Sequence, residues 1–232
     1  MKKLLNSNYA LSTVCSPLIL AGVLVLYSNP ALADTSAACV ADGGTNCSTA
    51  IPDNDINGMS STITIPAGSC VAGTVTDVNV SLDIAHTWVG DLDVTLMSPA
   101  NVAQSILLDR PGVPVSTFGC SGNDINALFD DASATPAEGV CGAGTPTIAG
   151  TFSPTTPLAA FNGGNGDGVW TLTIADNAGG DTGRLNDWSL DIACTAPMQA
   201  IPVFSLWGLL SLIGALGLGG RYAVRRRKKV TP

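Results

Sequence analysis

Between residues 51 and 194, apolar and polar side chains alternate in short runs broken by Gly, Pro, Asn and Asp. In 77–84, Val78, Val80, Leu82 and Ile84 share one side, while Asp77, Asn79, Ser81 and Asp83 share the other. In 91–97, Leu92, Val94 and Leu96 repeat the pattern. Trp170, Leu172 and Ile174 do so further on, and Trp188, Leu190 and Ile192 at the end. Weaker runs lie at 61–65, 105–108, 127–129 and 148–152. A period of two belongs to strands with one buried and one wetted face. Strands with a single apolar face must bury it against a second sheet. The pattern predicts an all-β domain, a β-sandwich of about eight strands, with no helical period and no internal repeat.

The two ends follow other rules. Lys2 and Lys3 precede an apolar run at 17–27, and Ala31-Leu32-Ala33 precedes Asp34, as in a signal peptide with its cleavage site (1–33). Residues 34–50 are small, polar and cysteine-bearing, and are expected to form an N-terminal extension to a domain at 51–195. After a linker at 196–200, residues 201–220 carry no charge, and Arg221, Arg225, Arg226, Arg227, Lys228 and Lys229 follow in the tail, 221–232. Twenty residues at ~1.5 Å rise match the ~30 Å hydrocarbon core, so a transmembrane helix is expected here. The basic cluster behind it should stay cytoplasmic. These ends predict an exported domain held at the membrane, or at the cell surface or secreted after processing.

Charge narrows the partners. All 18 acidic residues lie in 34–200, against Arg110 and Arg184 alone, for a net charge of −16 in that segment. Nucleic acid is excluded, because phosphates need basic partners. Cations and basic partners suit such a surface. Cys39, Cys47, Cys70, Cys120, Cys141 and Cys194 make an even set in an exported chain, which predicts three disulfides. Six cysteines allow fifteen pairings. Cys120 and Cys141 bracket the Phe129-Asp130-Asp131 segment and are expected to pair. Cys70, before an early strand, is matched with Cys194, at the end of the last, which leaves Cys39 with Cys47.

Several motifs in order resemble the P domain (Homo B domain) of the proprotein convertases. They begin at Ile51-Pro52-Asp53 and continue with His86-Thr87-Trp88-Val89-Gly90-Asp91-Leu92 inside 78–98. Phe129-Asp130-Asp131-Ala132 and Gly150-Thr151-Phe152 follow, then Phe161-Asn162-Gly163 and Gly168-Val169-Trp170-Thr171-Leu172. The last is Gly180-Asp181-Thr182-Gly183-Arg184-Leu185-Asn186-Asp187-Trp188-Ser189-Leu190. The resemblance implies a jelly-roll-like sandwich. In the convertases this domain follows a subtilisin-like protease domain, stabilises it and tunes its calcium and pH dependence; no such protease domain stands in this chain. Ile201-Pro202-Val203-Phe204-Ser205-Leu206-Trp207-Gly208, with the apolar span and basic cluster, resembles the Ile-Pro-Thr-Leu type of bacterial C-terminal sorting signal. It departs at Val203, Phe204 and Leu206. That resemblance implies processing by an exosortase-like membrane enzyme.

Candidate chemistry is sparse. His86 is the sole histidine, placed just past a strand, and no G-x-S-x-G setting accompanies it. Calcium is the better expectation, since clustered loop carboxylates supply the six to eight oxygens it takes. Asp91 and Asp93 are two apart on a strand and should share a face; Asp130 and Asp131 follow a strand end; Asp176 and Asp181 crowd a Gly-rich hairpin. The competing expectation is that these residues cap turns. The function expected is an exported, non-catalytic structural or binding module at the bacterial surface. The alternatives are an accessory subunit docking on a separately encoded subtilisin-like serine protease and, last, a small hydrolase.

Overall fold

The computed structural model describes residues 16–20, 23–27, 32–70 and 74–195, and for 16–20, 23–27, 32 and 33 the backbone alone. Two compact units emerge, one of Met1–Pro30 with Met198–Pro232, the other Ala31–Pro197. In the first unit, β1 (Ser16–Leu20) and β2 (Val23–Tyr27) pair antiparallel within the apolar run assigned to the signal peptide. The expected span at 201–220 and the tail behind it lie outside the described residues. No helix among the described residues is long and apolar enough to cross a membrane.

The second unit is built from two sheets. One runs β10-β9-β6-β12-β3, with β4 also pairing β12; the other runs β5-β11-β7-β8. In chain order these strands are β3 (Leu32–Ala38), β4 (Ala50–Ile51), β5 (Asp55–Ile65), β6 (Val75–His86), β7 (Leu92–Met97) and β8 (Gln104–Asp109). They continue as β9 (Ile125–Phe129), β10 (Ile148–Phe152), β11 (Gly168–Asp176) and β12 (Gly183–Thr195). All eight runs read from alternation fall on strands, except that Asp91 lies in the turn before β7. β3 and β4 join them from the stretch around the expected extension, so part of that stretch completes the larger sheet. Neighbours pair antiparallel except β9 and β10, which are parallel.

The core lies between the sheets. Val78, Val80, Leu82, Ile84, Leu190 and Ile192 from the larger sheet form one buried cluster with Ile63, Leu92, Val94, Leu96, Trp170 and Leu172 from the smaller. Trp170 and Trp188 are the largest fully buried side chains. Each indole N–H finds an acceptor, Gly166 O at 2.9 Å and Ser61 Oγ at 2.8 Å, as a buried donor must. Three disulfides join Cys39–Cys47, Cys70–Cys194 and Cys120–Cys141, the pairing expected from the sequence.

Candidate functional site

Three strand ends bring polar groups together at one end of the sandwich. His86 closes β6 and Asp176 closes β11, while Asp91 sits in a 3-10 turn, Val89–Asp91, that leads into β7. His86 Nε2 lies 3.2 Å from Asp176 Oδ2, and neither side chain reaches solvent. The ring's other nitrogen, Nδ1, lies 2.9 Å from Trp88 O and 3.1 Å from the Trp88 backbone N, so both ring nitrogens have polar partners. The second Asp176 oxygen accepts from the Ala178 N–H at 3.1 Å. Gly183 packs against this ring so closely that a Cβ there would collide with His86 Cδ2 and Ala85 O.

Asp91 is buried beside this pair. Its Oδ1 is 3.7 Å from the Arg110 guanidinium. Burial pushes its carboxyl above the usual range, and the Asp176 charge adds to the push; Arg110 opposes it. Asn177 ties the turn to β7: its backbone N–H and Nδ2 donate to Asp91 O at 2.9 and 3.0 Å, and Nδ2 also donates to Asp93 Oδ2 at 2.9 Å. Asp181 accepts from Thr87 Oγ1 at 2.9 Å.

Asp93 belongs to a second group. It stands opposite Asp109 in the β7–β8 register. Its Oδ1 is buried and has no hydrogen-bond partner. Burial raises its carboxyl, and the Asp109 charge raises it further. Glu138 is raised likewise, by burial first, while its Oε1 accepts from the Asp109 N–H at 2.6 Å and Thr155 Oγ1 at 2.7 Å.

Asp130 and Asp131 are spent on turns. Asp130 Oδ1 accepts from the Ala132 N–H at 2.7 Å. Asp131 accepts from the N–H groups of Leu158 and Ala159 at 2.9 and 2.8 Å, capping the 3-10 turn Leu158–Phe161. The six aspartates singled out from the sequence are therefore not one site. Asp91 and Asp176 gather at His86, with the charge of Asp181 also felt at Asp91. Asp93 turns to Asp109 and Glu138, and Asp130 and Asp131 hold loops. Among the described residues no group of three or more His, Cys, Asp or Glu side chains is arranged to hold a metal ion. Sequence reasoning missed Asp109 and Glu138, because their approach to Asp93 depends on strand pairing and on a loop fold that no local pattern announces. It also missed the His86–Asp176 pair, which spans 90 residues.

A sealed His–Asp pair is poor catalytic machinery. An imidazole with no exposed edge cannot exchange a proton with a substrate, and a general base must come within hydrogen-bond reach of the proton it takes. The pair is instead a buried latch joining β6 to β11.

Comparison with known proteins bears on the family. Residues 75–133 and 143–192 match the family model described as the proprotein convertase P-domain. These residues run from the start of β6 into β12 and contain both members of the latch. A protein of Trichormus variabilis named calcium-dependent protease is 31% identical over 120 residues, 51% of this chain and 14% of that protein. A protein of the same name from a Nostoc species is 30% identical over 148 residues, 62% of this chain and 18% of that one. The chain thus matches less than a fifth of the length of either relative. Their names agree with the calcium expected from the sequence. Two solved structures are also similar: a serine protease of Aeromonas sobria in complex with a chaperone (TM-score 0.43, 18% identity, 73% of this chain and 28% of that one), and the serine protease alone (TM-score 0.41, 20% identity, 71% and 27%).

Proposed function

We infer that this chain, whose sandwich belongs to the proprotein convertase P-domain family, is an exported, non-catalytic accessory module that works by binding. The observation that carries the inference is the sealed His86–Asp176 pair inside the matched segment: its acid–base chemistry is turned inward to hold the fold. Export is supported by the leader-like start of the sequence and by three disulfides, which persist in oxidising compartments. The apolar stretch at 201–220 with its basic tail would hold the module at the membrane until an exosortase-like enzyme processed it.

The partner we propose first is a separately encoded subtilisin-like serine protease. The names of the two relatives support it, since each pairs a matching segment with a protease name. The test is to purify the exported protein with and without a protease from the same cell that lacks its own P-domain. The module alone should leave casein and peptide esters uncut, and together the two should elute as one species with a raised protease melting temperature. Hydrolysis by the purified module would overturn the non-catalytic assignment. Separate elution would overturn the protease partnership and leave a surface-binding role.

Calcium in this reading acts on stability. Asp93 is the best foothold among the six aspartates, because its buried Oδ1 is an acceptor without a donor. Asp109 and Glu138 are the carboxylates near it. Hard cations favour such oxygens.

A further inference from the structure

The outer face of the larger sheet carries a trough that the latch and the Asp93 group do not use. Its floor is a single row of side chains in register across five strands: Thr151 of β10, Leu128 of β9, Ser81 of β6, Ser189 of β12 and Ala38 of β3. All but Leu128 are short, so the row is recessed, and it encloses about 470 Å³. A second recess adjoins it along β3 and β12, sharing Ala38 and Ser189 and adding Ser36, Asp42 and Asp191. At ~4.8 Å between strands the floor is about 19 Å long, the length of roughly six residues of extended chain.

The banks are acidic. On one side Asn126, Asp83 and Asp187 form the adjacent row, with Asp187 directly opposite Asp83 across the β6–β12 pair. Like charges so placed cost stability in a sheet. Asp83 Oδ1 accepts from Asn186 Nδ2 at 3.0 Å, and Asp187 Oδ1 from the Val40 and Trp188 N–H groups at 3.0 and 2.8 Å, but among the described residues no cation pairs with either. The two arginines of the described residues are engaged elsewhere, Arg110 at Asp91 and Arg184 at Ser48. On the other side Asn79 stands opposite Asp191, and its Oδ1 is buried without a hydrogen-bond partner. The trough thus offers acceptors and negative charge along its length and lacks a cation. Its one adjoining aromatic, Trp188, is 2% exposed and points its indole inward to Ser61, so there is no ring on which a sugar could stack.

We propose that this trough receives an extended cationic segment of a partner protein, lying across the strands with an Arg or Lys side chain between Asp83 and Asp187. The proposal deepens the reading of the chain as a binding module and rests on it. Charge complementarity selects the occupant. A guanidinium between the two carboxylates relieves their repulsion and gains charge-assisted hydrogen bonds, and the short floor row admits a backbone.

The test is fluorescence anisotropy of labelled octapeptides, alternating Arg-Ser and alternating Glu-Ser, against the full-length protein in detergent, with unlabelled chitohexaose as competitor. The Arg-Ser peptide should bind and the Glu-Ser peptide should not. Ser81→Arg, which fills the floor, and Asp83→Asn should each weaken binding about ten-fold or more. Asp109→Asn, which removes the same charge away from the trough, should change it little. Melting curves confirm that the variants are folded, and Ser189→Trp is a second way to fill the floor. Equal weakening by Asp83→Asn and Asp109→Asn would overturn the proposal in favour of long-range attraction by the whole acidic surface. Displacement of the peptide by chitohexaose would overturn it in favour of a glycan. A protease partner that co-elutes equally with wild type and Ser81→Arg would keep the module reading and overturn the trough.

Discussion

His86 and Asp176 meet at 3.2 Å from the ends of two strands in different sheets, with both side chains closed to solvent. Their contact joins the two halves of the sandwich where the core gives way to loops. Removing one partner strands the other in a low-dielectric site. His86→Ala should therefore destabilise the domain by about 3–5 kcal/mol. Asp176→Asn keeps an acceptor for the imidazole N–H and should cost less, about 1–3 kcal/mol. Urea unfolding of the two variants measures both; equal, small losses would mean that the latch contributes little.

Stability should rise as pH falls from neutral toward the ordinary carboxylate range. Asp91, Asp93 and Glu138 are all held above their usual values, chiefly by burial. For such groups the folded state binds protons more readily than the unfolded chain. Their stabilising contribution is full below the unfolded pKa and is lost as pH rises through the folded one. Asp55, lowered by its hydrogen bonds to Asn57, acts in the opposite sense but is a single exposed group. Thermal melts between pH 7 and pH 5 should show an increasing Tm, and Asp93→Asn with Glu138→Gln should flatten the increase. A Tm that falls over that interval would contradict the burial argument.

The disulfides should differ in worth according to the chain they close. Cys70–Cys194 spans 124 residues, Cys120–Cys141 spans 21 and Cys39–Cys47 spans 8. Loop-closure entropy assigns about 5 kcal/mol to the longest and about 2.5 kcal/mol to the shortest. Paired Cys→Ala variants, compared by denaturant unfolding, should rank in that order. A reversed ranking would locate the stabilisation in the folded state.

Calcium should raise the melting temperature more than magnesium at equal ionic strength, because magnesium demands a tighter octahedral shell. Asp93→Asn should reduce the calcium increment. Asp130→Asn should leave it unchanged, since Asp130 already serves the Ala132 N–H. Equal increments for both metals would mean simple relief of repulsion among the carboxylates.

The strands were legible because alternation is written residue by residue. Val78, Val80, Leu82 and Ile84 needed nothing from outside β6 to declare their face. β3 was not legible: Leu32–Ala38 holds Ala, Ser, Thr and Asp, with one large apolar residue, and it gains strand character only by pairing with β12. Chemistry was less legible than fold. Asp131 reads like a metal ligand in sequence, yet a 3-10 turn 27 residues away takes its oxygens. Asp91, placed on a strand with Asp93 by spacing alone, sits instead in the preceding turn, so the two carboxylates part company. The row across the larger sheet was invisible for a different reason: its five members come from five strands, and only register makes them neighbours.

The Cys70–Cys194 bridge also fixes how the domain would bear load. Cys194 is the penultimate residue of β12, the strand flanked by β6 and β3. Any pull on the chain beyond Thr195 reaches the sulfur bridge after one residue and passes to Cys70. The tension therefore bypasses the hydrogen bonds of β12, which would otherwise peel away one pair at a time from that end. A module tethered through its C-terminal side would keep its central strand seated under traction and would lose that resistance on reduction.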